Sequence, residues 1–220
     1  MKKTVRSIAA ATAAAAALTL AVSTAASAHS DNANASASAS GHPGKRGDGG
    51  YGYTVIRSGI PDTARRFTVT SPQVHNGGTF PASAWADAFG CSGGNQQFTL
   101  DWTGAPVGTR SFAVTMYDPD APSGSGFWHW LEWDIPGSAT SLSPAATPVG
   151  AVSGTDDAGL TGYLGPCPPA GDVNHGYQIT VYALDTASLG LPATTPAALT
   201  TFSMSSHIVG YARMTVNARR

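Results

Sequence analysis

The chain has 220 residues, of which 42% are hydrophobic and only 11% charged. That is a globular composition, and it excludes a charge-rich disordered chain. Lys and Arg number 12 against 13 Asp and Glu, for a formal net charge of -1, which excludes the basic footprint of a nucleic-acid-binding protein.

Chain order begins with the layout of an export signal. Lys2, Lys3 and Arg6 precede an Ala/Leu/Val run from Ile8 to Val22, and Ala26-Ser27-Ala28 supplies small residues for a peptidase. Residues 1–28 therefore read as a secretory signal peptide cut after Ala28, which makes the protein secreted. The apolar run is short for a spanning helix, and no later stretch is apolar enough for a transmembrane segment. No Cys stands at the cut, which argues against a lipid anchor, and the absence of an Arg-Arg pair points to the general secretory route. Loss of Lys2, Lys3 and Arg6 leaves 9 basic residues against 13 acidic, a charge of -4, with Lys45 the one remaining lysine. Such a chain has no broad attraction for nucleic acid or anionic membranes, so any bound anion needs a local site.

Residues 29–52 are nearly all Ser, Ala, Gly, Asn and charge. They bury too little apolar surface to offset ordering entropy, and read as a flexible linker. Residues 53–220 are then one domain of ordinary size.

Within it, runs at 67–70, 98–102, 111–117, 128–135, 177–184 and 208–216 carry the apolar pattern of strands. Gly/Pro-rich turns separate them, with Gly 26 and Pro 15 in the whole chain. This predicts an all-β sandwich. One short helix is expected before the last strand, from Pro196 to about His207, because Pro suits a first helical position and Ala197, Ala198 and Leu199 favour helix. Cys91 and Cys167 in an exported chain read first as a disulfide closing about 76 residues, and otherwise as two separate buried thiols.

Period two then picks out polar residues that extend apolar rows. Phe112, Val114 and Met116 share a face with Asp118. Leu131, Trp133 and Ile135 share parity with His129. Ile179, Val181 and Ala183 share a face with Tyr177 and His175. If neighbouring strands run antiparallel, these strand ends converge at one rim. Two loops stiffened by proline flank them: Asp118-Pro119-Asp120-Ala121-Pro122 and Gly165-Pro166-Cys167-Pro168-Pro169. Imidazole and phenol groups between rigid apolar walls suit a small anion such as a phosphate ester. Asp118 would repel that anion unless it pairs with a His, or it would receive an amine.

Together with Trp128-His129-Trp130 and His175-Gly176-Tyr177, these motifs resemble the phosphatidylethanolamine-binding proteins, and more closely their bacterial Raf-kinase-inhibitor-like branch. Cys91-Ser92-Gly93-Gly94-Asn95, Trp102 and Val181-Tyr182-Ala183-Leu184-Asp185 also look like that branch. The likeness spans nearly all of 67–217. It implies a Greek-key antiparallel β-sandwich with a small cavity for anions and phospholipid head groups. By resemblance the cavity maps onto Asp118, His129, Pro168, Pro169, His175 and Tyr177, with Asp120 and Pro122 in support. Three departures bear on the ligand: Gln96-Gln97 replaces Ser-Pro, Gly176 replaces an Arg, and the short Ser123–Gly126 loop lacks a Tyr and an Arg found in relatives with longer loops. A secreted chain has no access to a cytoplasmic kinase, so that role is not carried over.

Each residue also has a plainer role. Asp118 and Asp120 suit turns, His129 and Tyr177 suit a hydrogen-bonded core, and Pro168 and Pro169 suit loop shaping. The leading expectation is a secreted, non-catalytic binding protein for a small anionic or phosphate-containing ligand, with no cofactor and no metal. An alternative is an inhibitor partnered with a secreted protease. A metal-dependent hydrolase is the least supported reading, because no nucleophile elbow or closely spaced metal motif is present.

Overall fold

The computed structural model describes residues 58–145 and 147–220. The expected signal peptide, the linker and the first residues assigned to the domain lie outside the described residues. Nine strands and one α-helix follow: β1 (Arg65–Arg66), β2 (Thr68–Thr70), β3 (Leu100–Thr103), β4 (Ser111–Asp118), β5 (Phe127–Pro136), β6 (Ser141–Leu142), β7 (Val152–Ser153), β8 (His175–Leu184), α1 (Ala197–Ser205) and β9 (Ile208–Ala218). The six longer strand runs and the helix are those expected from the apolar pattern. β1, β6 and β7 have two residues each, too few for any periodicity to register.

Two sheets form, with orders β1-β9-β8-β4-β5-β7 and β2-β3-β6. All strand pairings are antiparallel except that of β1 with β9. The interior between the sheets holds Trp102, Trp130, Phe98, Leu100, Met116 and Tyr177. Burial of each such large side chain stabilises by roughly 2–3 kcal/mol before entropy is counted. A second cluster lies on the other face of the large sheet, where Ala197 and Met204 of α1 cover Ala113, Leu131, Trp133, Tyr182 and Leu184. The central strands are therefore buried on both faces, which is why β4 reads Ser-Phe-Ala-Val-Thr-Met with no exposed position.

The two clusters correct one expectation. Leu131 and Trp133 do not share the sandwich interior with Ile135: the first two belong to the α1 side and the third to the interior. The cause is a pair of bulges in β5. Phe112 pairs with Ile135 and Val114 with Glu132, so Trp133 and Asp134 together oppose Ala113. Further along, Met116 pairs with Trp130 and Tyr117 with Trp128, which leaves His129 as an extra residue. Each bulge resets which residues face which side.

Candidate functional site

Three strands deliver side chains to one rim. β4 ends at Asp118, β5 begins at Phe127, and β8 begins at His175. The antiparallel register places Asp118 opposite Phe127 and Tyr117 opposite Gln178. Asp118 and the His175/Tyr177 pair arrive by strand parity, as expected. His129 arrives by the second bulge instead, which leaves its ring centroid 5.1 Å from that of Tyr177 and 4.8 Å from that of Phe127.

The connecting loops are fastened by specific bonds. Asp118 Oδ1 accepts the Asp120 N–H at 2.9 Å, and Asp120 Oδ2 accepts the Gly176 N–H at 2.7 Å. The β4–β5 loop is thereby pinned to the start of β8. On the other side, Asn95 Oδ1 accepts the Gly165 N–H at 2.8 Å, and the Leu164 N–H bonds the His129 carbonyl at 2.9 Å. The chain passes so close there that a Cβ on Gly165 would meet the Ala84 carbonyl oxygen at 2.2 Å. Cys91 and Cys167 form a disulfide with Cα atoms 5.9 Å apart, so the first of the two cysteine readings is the observed one.

These elements enclose a cavity of about 260 Å³. Asp118, Pro122, His129, Pro168, Pro169, His175 and Tyr177 all line it. Asp120 does not; its carboxylate is spent behind the wall on the Gly176 amide. Apolar walls come also from Phe89, Ala121, Phe127 and Leu164, none of which was singled out from sequence. Phe127 shares parity with His129, a signal that was available. Phe89 offered none, being an isolated aromatic between turns.

The two imidazoles are not alike. His175 is buried, with Nδ1 2.7 Å from Asp118 Oδ2 and Nε2 3.3 Å from Asp172 Oδ2. A neutral ring would turn a lone pair toward one of those carboxylates, so this geometry calls for the imidazolium. Burial works against the charge, but Asp118 and then Asp172 outweigh it and raise the ring's pKa above the ordinary value. Asp172, three residues before His175, does not line the cavity but holds the ring, and sequence reasoning missed it as well. The Val173 N–H and His175 hold its carboxyl below the usual range. His129 is the opposite case. Burial pushes its pKa down to about 4, against the pull of Asp118 and the Leu164 and Gly165 backbone. It is therefore neutral at physiological pH, and its buried Nδ1 has no hydrogen-bond partner among the described residues. Burial and then Asp118 keep the Tyr177 hydroxyl protonated, with its pKa raised.

The charges of the cavity thus nearly cancel within it, and among the described residues no Lys or Arg lines it. Gly176 contributes only an amide at the position where the resemblance implied an Arg. Among the described residues no group of three or more His, Cys, Asp or Glu is arranged to hold a metal ion.

The family model for phosphatidylethanolamine-binding proteins matches residues 70–219, which hold β3 to β9 and the rim just described. The chain belongs to that family. It is 42% identical to Escherichia coli YbcL over 159 residues, which cover 69% of this chain and 87% of that protein. The crystal structure of E. coli YbcL, described as a new member of the mammalian family, matches with a TM-score of 0.68 and 40% identity over 70% of this chain and 98% of that one. E. coli YbhB is 35% identical over 151 residues, 66% of this chain and 95% of that protein.

Proposed function

We propose that this protein is an exported, non-catalytic binding protein whose cavity takes a small phosphate-bearing head group. The observation that carries the reading is the meeting of Asp118, His129, His175 and Tyr177 around one cavity with proline-stiffened walls. Stiff walls lose little entropy on binding. With both His175 nitrogens committed to carboxylates, a phosphate is met by His129 and the Tyr177 hydroxyl. An amine on the ligand is met by Asp118, which retains unused lone pairs. A zwitterionic head group such as phosphoethanolamine supplies both halves, in keeping with the family's name.

For His175 the same bonds support the non-catalytic part of the reading: a general base needs a ring nitrogen free to take a proton, and His175 has neither free. Export is supported by the signal-like first 28 residues and by the disulfide, which persists in oxidising compartments.

The test is an NMR titration of the His129 and His175 ring signals with phosphoethanolamine and, separately, inorganic phosphate. The expected result is a saturable shift of His129 with both and a larger response to phosphoethanolamine. Silence of both rings at millimolar ligand overturns the reading. Mass spectrometry of protein recovered from the culture medium tests export, with a mature chain beginning at His29 expected.

A further inference from the structure

Residues 88–91 form a tight turn. The Cys91 N–H donates to the Ala88 carbonyl at 2.9 Å, and the two central residues, Phe89 and Gly90, have φ of 55° and 80°. Positive φ at both central positions is the signature of a turn that favours Asn, Asp or Gly. Gly90 meets that demand. Phe89 does not, because a Cβ in the left-handed region crowds the backbone. The two other non-glycine residues with positive φ among the described residues are Asn95 and Asp134, types that tolerate it. Strain of this kind persists only where the surroundings impose it.

Two ties impose it here. Cys91 is bonded to Cys167. Arg220 Nη1 donates to the Gly90 carbonyl at 2.7 Å and lies 3.3 Å from Cys91 Sγ. Yet the Phe89 side chain gains no core burial from this, for the residue is 64% exposed. What it does border is the cavity, alongside Cys167, Pro168 and Pro169 of the facing loop. The disulfide thus couples an exposed, strained aromatic directly to the cavity wall.

We propose that Phe89 is a specificity-determining residue that makes this cavity prefer ligands whose head group carries an apolar extension. The proposal rests on the head-group reading above and deepens it. Phosphate and amine occupy the polar floor, and the adjoining carbon chain or ring leaves across the Phe89 face. Burial of the exposed ring against that extension is the favourable term. The ties of the turn fix the Phe89 backbone beforehand, so no backbone freedom is lost there when the ligand arrives.

The experiment measures a ratio of affinities by calorimetry in two arms. One compares dihexanoyl-glycerophosphoethanolamine, below its micelle concentration, with phosphoethanolamine. The other compares phenyl phosphate with inorganic phosphate. In the parent protein at least one ratio is expected to be about tenfold, the scale of partial ring burial, and the arm that shows it says whether the extension is an acyl chain or a ring. In Phe89→Asn, and again in Phe89→Gly, that ratio collapses toward one. Thermal melting of both variants is expected to match or exceed the parent, since these residues relieve the backbone. Ratios of one in both arms of the parent, or a ratio that survives in the variants, overturn the assignment of Phe89 while leaving head-group binding intact. If none of the four probes binds the parent, the head-group reading fails and this proposal fails with it.

Discussion

Asp118 Oδ2 lies 2.7 Å from His175 Nδ1, joining the end of β4 to the start of β8 across 57 positions of the chain. Both side chains are almost fully buried. One bond therefore sets the charge state of the ring, ties two strands together at the rim and neutralises the carboxylate that would otherwise repel an anion.

Asp118→Asn should lower the His175 pKa, because burial then acts with only Asp172 opposing it. Stability at pH 6 should fall by roughly 3 kcal/mol, the usual consequence of breaking a buried ion pair. An NMR titration of the ring and a urea melt read the two effects. An unchanged His175 midpoint would show that Asp118 does not govern the ring.

The two histidines should give opposite pH dependences. His129 has its folded pKa lowered to about 4. Its contribution is complete above the ordinary His range and is lost as pH falls from about 6.5 toward 4, amounting to about 3 kcal/mol. His175 has its folded pKa raised, so its contribution is complete below the ordinary value and is lost as pH rises through the folded one. Denaturant melts of His129→Phe should show most of the acid sensitivity between pH 6.5 and 4 removed.

Glu132 is buried, its Oε1 has no partner among the described residues, and the Trp130 indole N–H reaches its Oε2 at 3.3 Å. Burial raises its pKa, so the carboxyl favours the folded state most at low pH and loses that advantage as pH rises. Glu132→Gln should therefore be at least as stable as the parent at pH 8 and less favoured relative to it at pH 4.5. Thermal melts at the two pH values give the comparison. A difference independent of pH would contradict a raised carboxyl pKa.

Removal of the disulfide by Cys91→Ser with Cys167→Ser should cost about 4 kcal/mol, given the 76-residue separation. Gly165→Ala should also be costly, by roughly 3 kcal/mol, because the added methyl meets the backbone of Ala84–Ala86 rather than a side chain that can move. Both are read by urea denaturation. A full-stability Gly165→Ala would mean that the loop carrying Cys167 and Pro168 sits less tightly than described.

Much of the site was legible in the order of residues, and the reason is local. Strand parity depends on neighbours two positions apart, so Asp118 at the end of the Phe112–Met116 row and His175 before the Tyr177–Ala183 row could be placed without coordinates. β5 broke that logic. Its two bulges send Trp133 to the α1 side and His129 to the cavity, and a bulge is defined by the partner strand. Asp120 was given a supporting place in the cavity by resemblance, with a turn role as the alternative, and its bond goes to the Gly176 amide.

By itself the amino-acid order determined an all-β domain with one helix before its last strand, the family, and most of the side chains that surround the cavity. Tertiary structure alone decided that His175 is charged and His129 neutral, that Asp172 joins the first of them, and that Phe89 is held exposed at the cavity. Alternation and turn chemistry are written in adjacent residues, whereas a charge state or an enforced turn arises only when distant segments meet and exclude water.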